Sequence, residues 1–302
     1  MQSAGQSSMM RRTAAFEAWW PLLLLLATAI VFGSWLTPWK YMWVLALAIF
    51  AGCKWLTWRR FVRMHGELSP ARTAGYLLTW PGMDPRPFSQ CAADQRRSQS
   101  LDWLGATAAV SVGAATFWLI PGVWLSESHP FTPWFGIAGV VLMLHFGMFR
   151  ALAVGWRCVG VAVEPLMRSP VQARSLRDFW GQRWNRGFRD FAHAFVFRPL
   201  AARYAIAPAT WAVFLFSGLV HDVVISLPAG AGYGLPTCYF ALQAVGMRLE
   251  RTNIGRQIGL NNPVIARVFA AAVIVMPMPI LFHHAFRQNV ILEMMRAGGA
   301  LN

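Results

Sequence analysis

The sequence predicts an all-α, polytopic integral membrane protein with about seven to eight transmembrane helices and interfacial amphipathic helices around a buried chamber. Three observations carry this. The 302 residues are 56% hydrophobic and include 16 Trp and 21 Phe. Several apolar runs reach the roughly 20 residues that a helix needs to cross a bilayer. Basic residues collect in alternate connections between those runs, as they do when loops sort to opposite sides of a membrane.

In chain order the candidate spans are Phe16–Phe32, Trp39–Thr57, Leu101–Leu125, Phe131–Phe149, Ala207–Leu227, Gly232–Arg248 and Val264–Phe286. Gly and Pro punctuate most of the connections, as in "LTPW", "SHPFTP" and "LPAGAGYGLP". A weaker patch, Ala151–Val163, carries Arg157 and precedes Glu164 and Pro165. It reads as a continuation of the fourth helix, a re-entrant segment or an eighth span. No tandem repeat or low-complexity tract interrupts the chain. A single membrane-embedded domain is expected over 16–302, after a cytoplasmic tail at 1–15, with the motifs gathered in a core of about 76–251.

Orientation follows from charge. Gly33–Lys40, Ser126–Pro133 and Pro228–Leu235 hold one Lys and no Arg between them. Trp58–Ser100 holds seven Arg, Arg150–Ile206 ten and Arg248–Arg267 four, and Arg11 and Arg12 precede the first span. The positive-inside rule then places the N-terminus and the arginine-rich segments in the cytoplasm, and a bacterial inner membrane is the expected setting. No convincing small-residue cleavage site follows Arg11 and Arg12, so a retained signal anchor is expected. Topology also accounts for the net charge of +15. The basic residues alternate with apolar runs instead of forming a compact basic domain, and no nucleic-acid partner is expected. Cys53, Cys91, Cys158 and Cys238 have no CxxC or Cys/His spacing. They read as packing residues, with no metal site.

Two polar places stand out in this apolar chain. "SLRDFWGQRWNRGFRDF", Ser175–Phe191, packs four Arg, two Trp and three Phe together on the expected cytoplasmic side. At 100° per residue Trp180, Trp184, Phe188, Phe191 and Phe195 share one stripe, while Asp178, Gln182, Asn185 and Arg189 share the opposite face, which predicts an interfacial helix. Lipid anchoring explains its aromatic and basic residues but does not call for Asn185. The second place is "WAVFLFSGLVHDVVISLP", where His221 and Asp222 lie roughly 21 Å into an apolar span at 1.5 Å per residue. Ionisable residues in a span face a cavity or a partner. A histidine there is either a structural hydrogen-bonding group or a general base.

"SLRDFWGQRWN" followed by "FLFSGLVHD" resembles the wax synthase branch of the membrane-bound O-acyltransferases, which carry Ser-Leu-x-Asp-Phe-Trp-Gly-Arg-Arg-Trp-Asn and a later Ser-Gly-x-x-His in a transmembrane helix. "YLLTWPGMDPRPF" at Tyr76–Phe88, "LHFGMF" at Leu144–Phe149, "VAVEPLM" at Val161–Met167 and "GYGLPTCYF" at Gly232–Phe240 extend the resemblance in the same order. Gln182 stands where Arg is common and Asp222 where Glu is common.

The resemblance implies transfer of a fatty acyl group from acyl-CoA to the hydroxyl of a lipophilic alcohol, within a membrane chamber and with no cofactor beyond the cosubstrate acyl-CoA. It implies His221 as the base that activates the alcohol, and Asn185 as the amide that holds the acyl carbonyl or the histidine. Trp180, Arg183, Trp184, Arg186, Arg189 and Asp222 form the implied substrate-binding set. The arginines suit CoA phosphates and lipid headgroups alike. Asn185 precedes the span that holds His221, so the two meet only if the aromatic segment dips inward or the chamber opens widely to the cytoplasm. A sterol, diacylglycerol, a hydroxylated pigment or a polyketide would offer the same hydroxyl. A transporter would also place His and Asp in a membrane cavity, and a b-type cytochrome would pair histidines such as His145, His221, His283 or His284. The histidine-rich clusters of a membrane di-iron hydroxylase are absent from the sequence.

Overall fold

A backbone in hydrocarbon has no water to bond, so each apolar run must satisfy its own N–H and C=O groups and folds as a helix. The computed structural model describes residues 19–33, 35–90 and 99–301, and among these there is no strand. The expected tail, Arg11, Arg12, the start of the first span and Cys91 lie outside the described residues. The longer helices are α1 (Trp19–Gly33), α2 (Pro38–His65), α3 (Ser100–Trp124), α4 (Thr132–Cys158), α5 (186–203), α6 (Ile206–Ala229), α7 (Leu235–Leu249), α8 (Pro263–Leu281) and α9 (284–297), with shorter ones such as 70–79 in the connections.

Five of these, α2, α3, α4, α6 and α8, are long and apolar enough to cross a bilayer. The outer faces of α2, α3, α6 and α8 expose Leu47, Leu104, Leu119, Leu219 and Val268, each at least 60% accessible, which lipid rather than water would cover. The other two expected spans are shorter. Described residues of α1 run only from Trp19, and α7 has 15 residues, roughly 22 Å at the helical rise. The patch at Ala151–Val163 divides: α4 continues to Cys158, and residues 161–163 are non-helical. The last expected span is interrupted: a turn at Met276–Pro277 lies within α8, which ends at Leu281, and a new helix, α9, starts at His284.

Helix α9 was not legible as an element, since Arg287, Gln288, Asn289 and Glu293 interrupt its apolar pattern. It supplies Phe286, Val290, Ile291, Leu292, Met294 and Met295 to a core shared with Phe117, Phe214, Tyr239 and Phe240. Asn289 Nδ2 donates to Ala229 O at 3.0 Å, Trp118 Nε1 donates to Gly298 O at 2.8 Å, and Arg296 pairs with Glu127. These contacts put the C-terminal segment at the end of the bundle that holds the arginine-free connections at 125–131 and 229–234. Reporters inserted at Ser128 and fused to the C-terminus are therefore expected to report the same compartment, opposite to one inserted between Gln90 and Gln99. Split readouts from the first two would overturn this arrangement.

At the other end, Lys54 is buried within α2 and its Nζ donates to Gly82 O at 2.7 Å, over the Tyr76 ring. Tyr76 Oη lies 2.6 Å from Thr57 Oγ1. These bonds fix the loop of "WPGMDPRPF" against α2, and Met83 from that loop packs with Cys53, Leu56 and Phe191.

Candidate active site

The stretch expected as one interfacial helix is two pieces with a break between them. Ser175 caps the first, accepting from Asp178 N–H at 3.0 Å, and a helical turn at Leu176–Asp178 widens into a π-turn at Phe179–Arg183. The backbone leaves the helix at Trp184, and Asn185 takes a left-handed conformation with φ 38° and ψ 61° before α5 begins. Only Ser169 shares a positive φ among the described non-glycine residues. Asn tolerates this region better than most residues because its short amide bonds the local backbone. Here Asn185 Oδ1 accepts from Phe188 N–H at 3.2 Å and caps α5.

The break also moves the aromatic stripe. Trp180 does not anchor a surface helix in lipid. It meets Phe214 of α6 and Phe240 of α7 with ring centroids 6.0 and 5.6 Å apart, and its Nε1 donates to Gln243 at 3.3 Å. Gln243 is fully buried and donates in turn to Val273 O of α8. Trp184 lies between Phe179 and His145, stacked on both at 5.5 and 5.9 Å. Phe188 stacks on Phe216 of α6 at 5.9 Å, and Phe191 is fully buried. The segment is wedged into the helix bundle because its tryptophans and phenylalanines find helix faces there.

His221 is held by its own helix. Its Nδ1 lies 2.7 Å from Ser217 O, and a carbonyl can only accept, so Nδ1 carries the proton and Nε2 the lone pair in the neutral ring. Phe240 covers the imidazole with centroids 4.5 Å apart. Gly218 allows the close approach of α6 and α7 at this level, since a Cβ there would lie 2.6 Å from Thr237 Cα. The Ser-Gly-x-x-His spacing thus has a physical reading: the serine carbonyl orients the ring, and the glycine admits the helix that covers it. Gly218→Ala is expected to overpack this contact against backbone and cost about 1–3 kcal/mol, seen as a lower melting temperature. An unshifted melt would show that α7 yields without cost.

Asp222 is occupied structurally. Its Oδ1 accepts from Gly234 N–H at 2.7 Å and Ser226 Oγ at 3.1 Å, and its Oδ2 accepts from Thr237 N–H at 3.1 Å and from the Thr237 hydroxyl. It caps α7 and closes the connection from α6. Ser226, Asp222 and His283 have the composition of a nucleophilic triad but the wrong polarity. His283 Nδ1 accepts from Phe286 N–H, so Nε2 is the protonated nitrogen facing Ser226 Oγ at 3.3 Å and cannot take the hydroxyl proton.

The three candidate arginines each have a carboxylate partner. Arg183 Nε binds Asp178 at 2.7 Å and its Nη1 reaches the carbonyls of Arg168 and Ser169. Arg186 binds Glu164, and its hydrogen bond holds the Glu164 carboxyl below the ordinary carboxylate range. Arg189 binds Asp190 at 2.9 Å, whose carboxyl is raised chiefly by burial. Two backbone bonds, Arg168 N–H to Arg183 O and Arg186 N–H to Leu166 O, tie "VAVEPLM" alongside the break, and Asn185 N–H faces Met167 Sδ at 3.2 Å.

Asn185 and His221 share no hydrogen bond, and what connects their surroundings is a run of aromatic contacts. The ring contacts run from Trp184, beside Asn185, through Phe179, Trp180 and Phe240 to the His221 imidazole. The segment dips inward, as one of the two sequence alternatives required. No protein acceptor among the described residues takes the Asn185 amide N–H₂, which leaves that donor available. Among the described residues no group of three His, Cys, Asp or Glu could hold a metal ion. Wide π-turns occur at the motif, at Leu142–Met148 around His145 and at Asp222–Ser226 after His221. Since others lie at Ala115–Leu119 and Arg287–Leu292, the turn alone does not mark the site.

Residues 163–242, the stretch that carries both Asn185 and His221, match the membrane bound O-acyl transferase family. The resemblance read from the motifs is borne out over this stretch. The chain is 26% identical over 144 residues to a probable long-chain-alcohol O-fatty-acyltransferase 8 of Arabidopsis thaliana, covering 45% of this chain and 43% of that protein. It is 33% identical over 73 residues to a long-chain-alcohol O-fatty-acyltransferase of Simmondsia chinensis, covering 22% of this chain and 21% of the relative. It is 32% identical over 69 residues to an acyl-CoA–sterol O-acyltransferase 1 of Arabidopsis thaliana, covering 20% of each. The matches therefore span less than half the length of these curated relatives.

Proposed function

We propose that the protein is a membrane-bound O-acyltransferase that moves a fatty acyl group from acyl-CoA to the hydroxyl of a lipophilic acceptor, with a long-chain alcohol as the preferred acceptor and wax ester as product. The observation that carries this reading is the fixed tautomer of His221, whose Nε2 lone pair lies within the segment matched to the acyltransferase family. An alcohol attacks a thioester poorly until a base takes its proton. In the proposed reaction His221 Nε2 accepts that proton as the alcohol oxygen bonds to the acyl carbon. The C–S bond then breaks, and the leaving CoA sulfur takes the proton from the imidazolium. Asn185 Nδ2 donates to the acyl carbonyl oxygen as negative charge develops there.

Relatives named for long-chain alcohols and for a sterol both act on an apolar molecule with one hydroxyl, so acceptor choice is left to pocket shape. The test uses membranes containing the protein, labelled palmitoyl-CoA and a panel of hexadecanol, a sterol, diacylglycerol and water alone. Labelled ester formed with hexadecanol above the others supports the proposal. Ester with the sterol alone moves the acceptor, and no ester with any of them overturns the acyltransferase reading.

A further inference from the structure

A cavity of about 540 Å³ lies beside the motif, between α3, α4 and the chain from Pro165 to Ser169. Its two ends differ in chemistry. One end is lined by Arg168, Ser169 and Arg183, which lie beyond the end of α4. The other is lined by Ala109, Leu142 and Phe146, and Ala109 is seven residues, about 10 Å, further along α3 than Asp102 at the mouth. The lining carries three guanidinium groups and one carboxylate.

That carboxylate, Asp102, is already shared by Arg150 at 2.7 Å and Arg157 at 2.8 Å. Arg168 is different. Among the described residues its carboxylate partner is Glu164 at 3.9 Å, through an oxygen that Arg186 also binds, and its side chain is 55% exposed. A guanidinium held this loosely at the rim of an amphipathic cavity suits a phosphoryl oxygen pair.

His145 also lines the cavity, and its ring stacks on Trp184. The rim is fixed by the backbone bonds from Arg168 N–H to Arg183 O and from Arg186 N–H to Leu166 O.

We propose that this cavity binds a phosphate-bearing amphiphile, with the phosphoryl group against Arg168 and Arg183 and the apolar part along Ala109, Leu142 and Phe146. Two sources offer that chemistry: the nucleotide and pantetheine portion of the acyl donor, and a membrane phospholipid. The donor source rests on the acyltransferase reading, and the phospholipid source does not. Occupancy would couple to the candidate site through two contacts: His145 stacks on Trp184, and Met167 meets the Asn185 backbone N–H.

The test measures binding without turnover, on the full chain in nanodiscs, for the parent, Arg168→Gln and Ala109→Phe. Arg168→Gln removes the rim charge from an exposed side chain, and Ala109→Phe fills the apolar end. One arm titrates CoA by calorimetry, and the other measures phosphatidylglycerol retained on purification by mass spectrometry. A CoA Kd raised about tenfold in both variants, the scale of one charge-assisted hydrogen bond, identifies the donor source. Retained phosphatidylglycerol that falls severalfold in both, with CoA unaffected, identifies the lipid source. If Ala109→Phe misfolds, Arg168→Gln against Arg168→Lys decides, with Lys expected to restore part of the binding. Unchanged CoA affinity and unchanged lipid retention in Arg168→Gln overturn the proposal. Because neither arm needs ester formation, an inactive parent chain that still binds phosphatidylglycerol here would defeat the acyltransferase reading alone.

Discussion

His221→Ala, purified in the same detergent as the parent chain, is expected to lose roughly 10² to 10⁴ of its turnover while the α6 and α7 pair still assembles. The expectation rests on the tautomer. Nδ1 is engaged by Ser217 O, so the neutral ring has one lone pair to offer, and removing the ring removes the base. Loss of the Phe240 contact complicates the alanine variant, because that ring covers the imidazole at 4.5 Å. His221→Gln separates packing from chemistry. A glutamine amide can still donate to the Ser217 carbonyl and fill much of the space, but it has no basic nitrogen. Both variants are therefore expected to be inactive, with the glutamine variant melting nearer to the parent. Turnover retained in His221→Gln would assign the histidine to scaffolding.

Asn185 needs a different design, because the structure gives it two duties. It occupies the left-handed region and caps α5, so Asn185→Ala carries a stability cost of about 1–2 kcal/mol from the cap, in addition to any backbone strain. Asn185→Gly keeps the left-handed backbone and loses the whole side chain. Asn185→Asp keeps an oxygen for the Phe188 N–H and loses the N–H₂ donor. If the amide donates to the acyl carbonyl in the transition state, both variants should fall by about 10² or more in kcat, with the aspartate variant melting closest to the parent. Activity retained in Asn185→Asp with a native melt would show that the asparagine serves the backbone alone.

The five long spans were legible because length and apolar content decide them, and the inward-facing helix faces contribute nothing to that decision. What a linear reading missed was local geometry. A 100° wheel places Asn185 on the polar face of a continuous helix, but the π-turn at Phe179–Arg183 and the left-handed Asn185 interrupt that periodicity. The same break takes Trp180 off the interfacial stripe that the wheel predicts and packs it on Phe214 and Phe240. Arg183, Arg186 and Arg189 looked available in the sequence because their partners Asp178, Glu164 and Asp190 include one that lies 22 residues away. Spacing within a motif does not reveal such a partner. One signal could have marked the break: asparagine tolerates positive φ, and "RWNRGF" holds an asparagine two residues before a glycine.

The burial of α9 sets the order in which this chain can mature. Phe286, Val290, Ile291 and Met295 complete a core whose aromatic members Phe117, Phe214 and Phe240 are synthesised 46 to 178 residues earlier. During translation those aromatic faces stand open, after the helices that bear them have entered the bilayer. Closure of this core therefore waits for residues 284–297 to leave the ribosome.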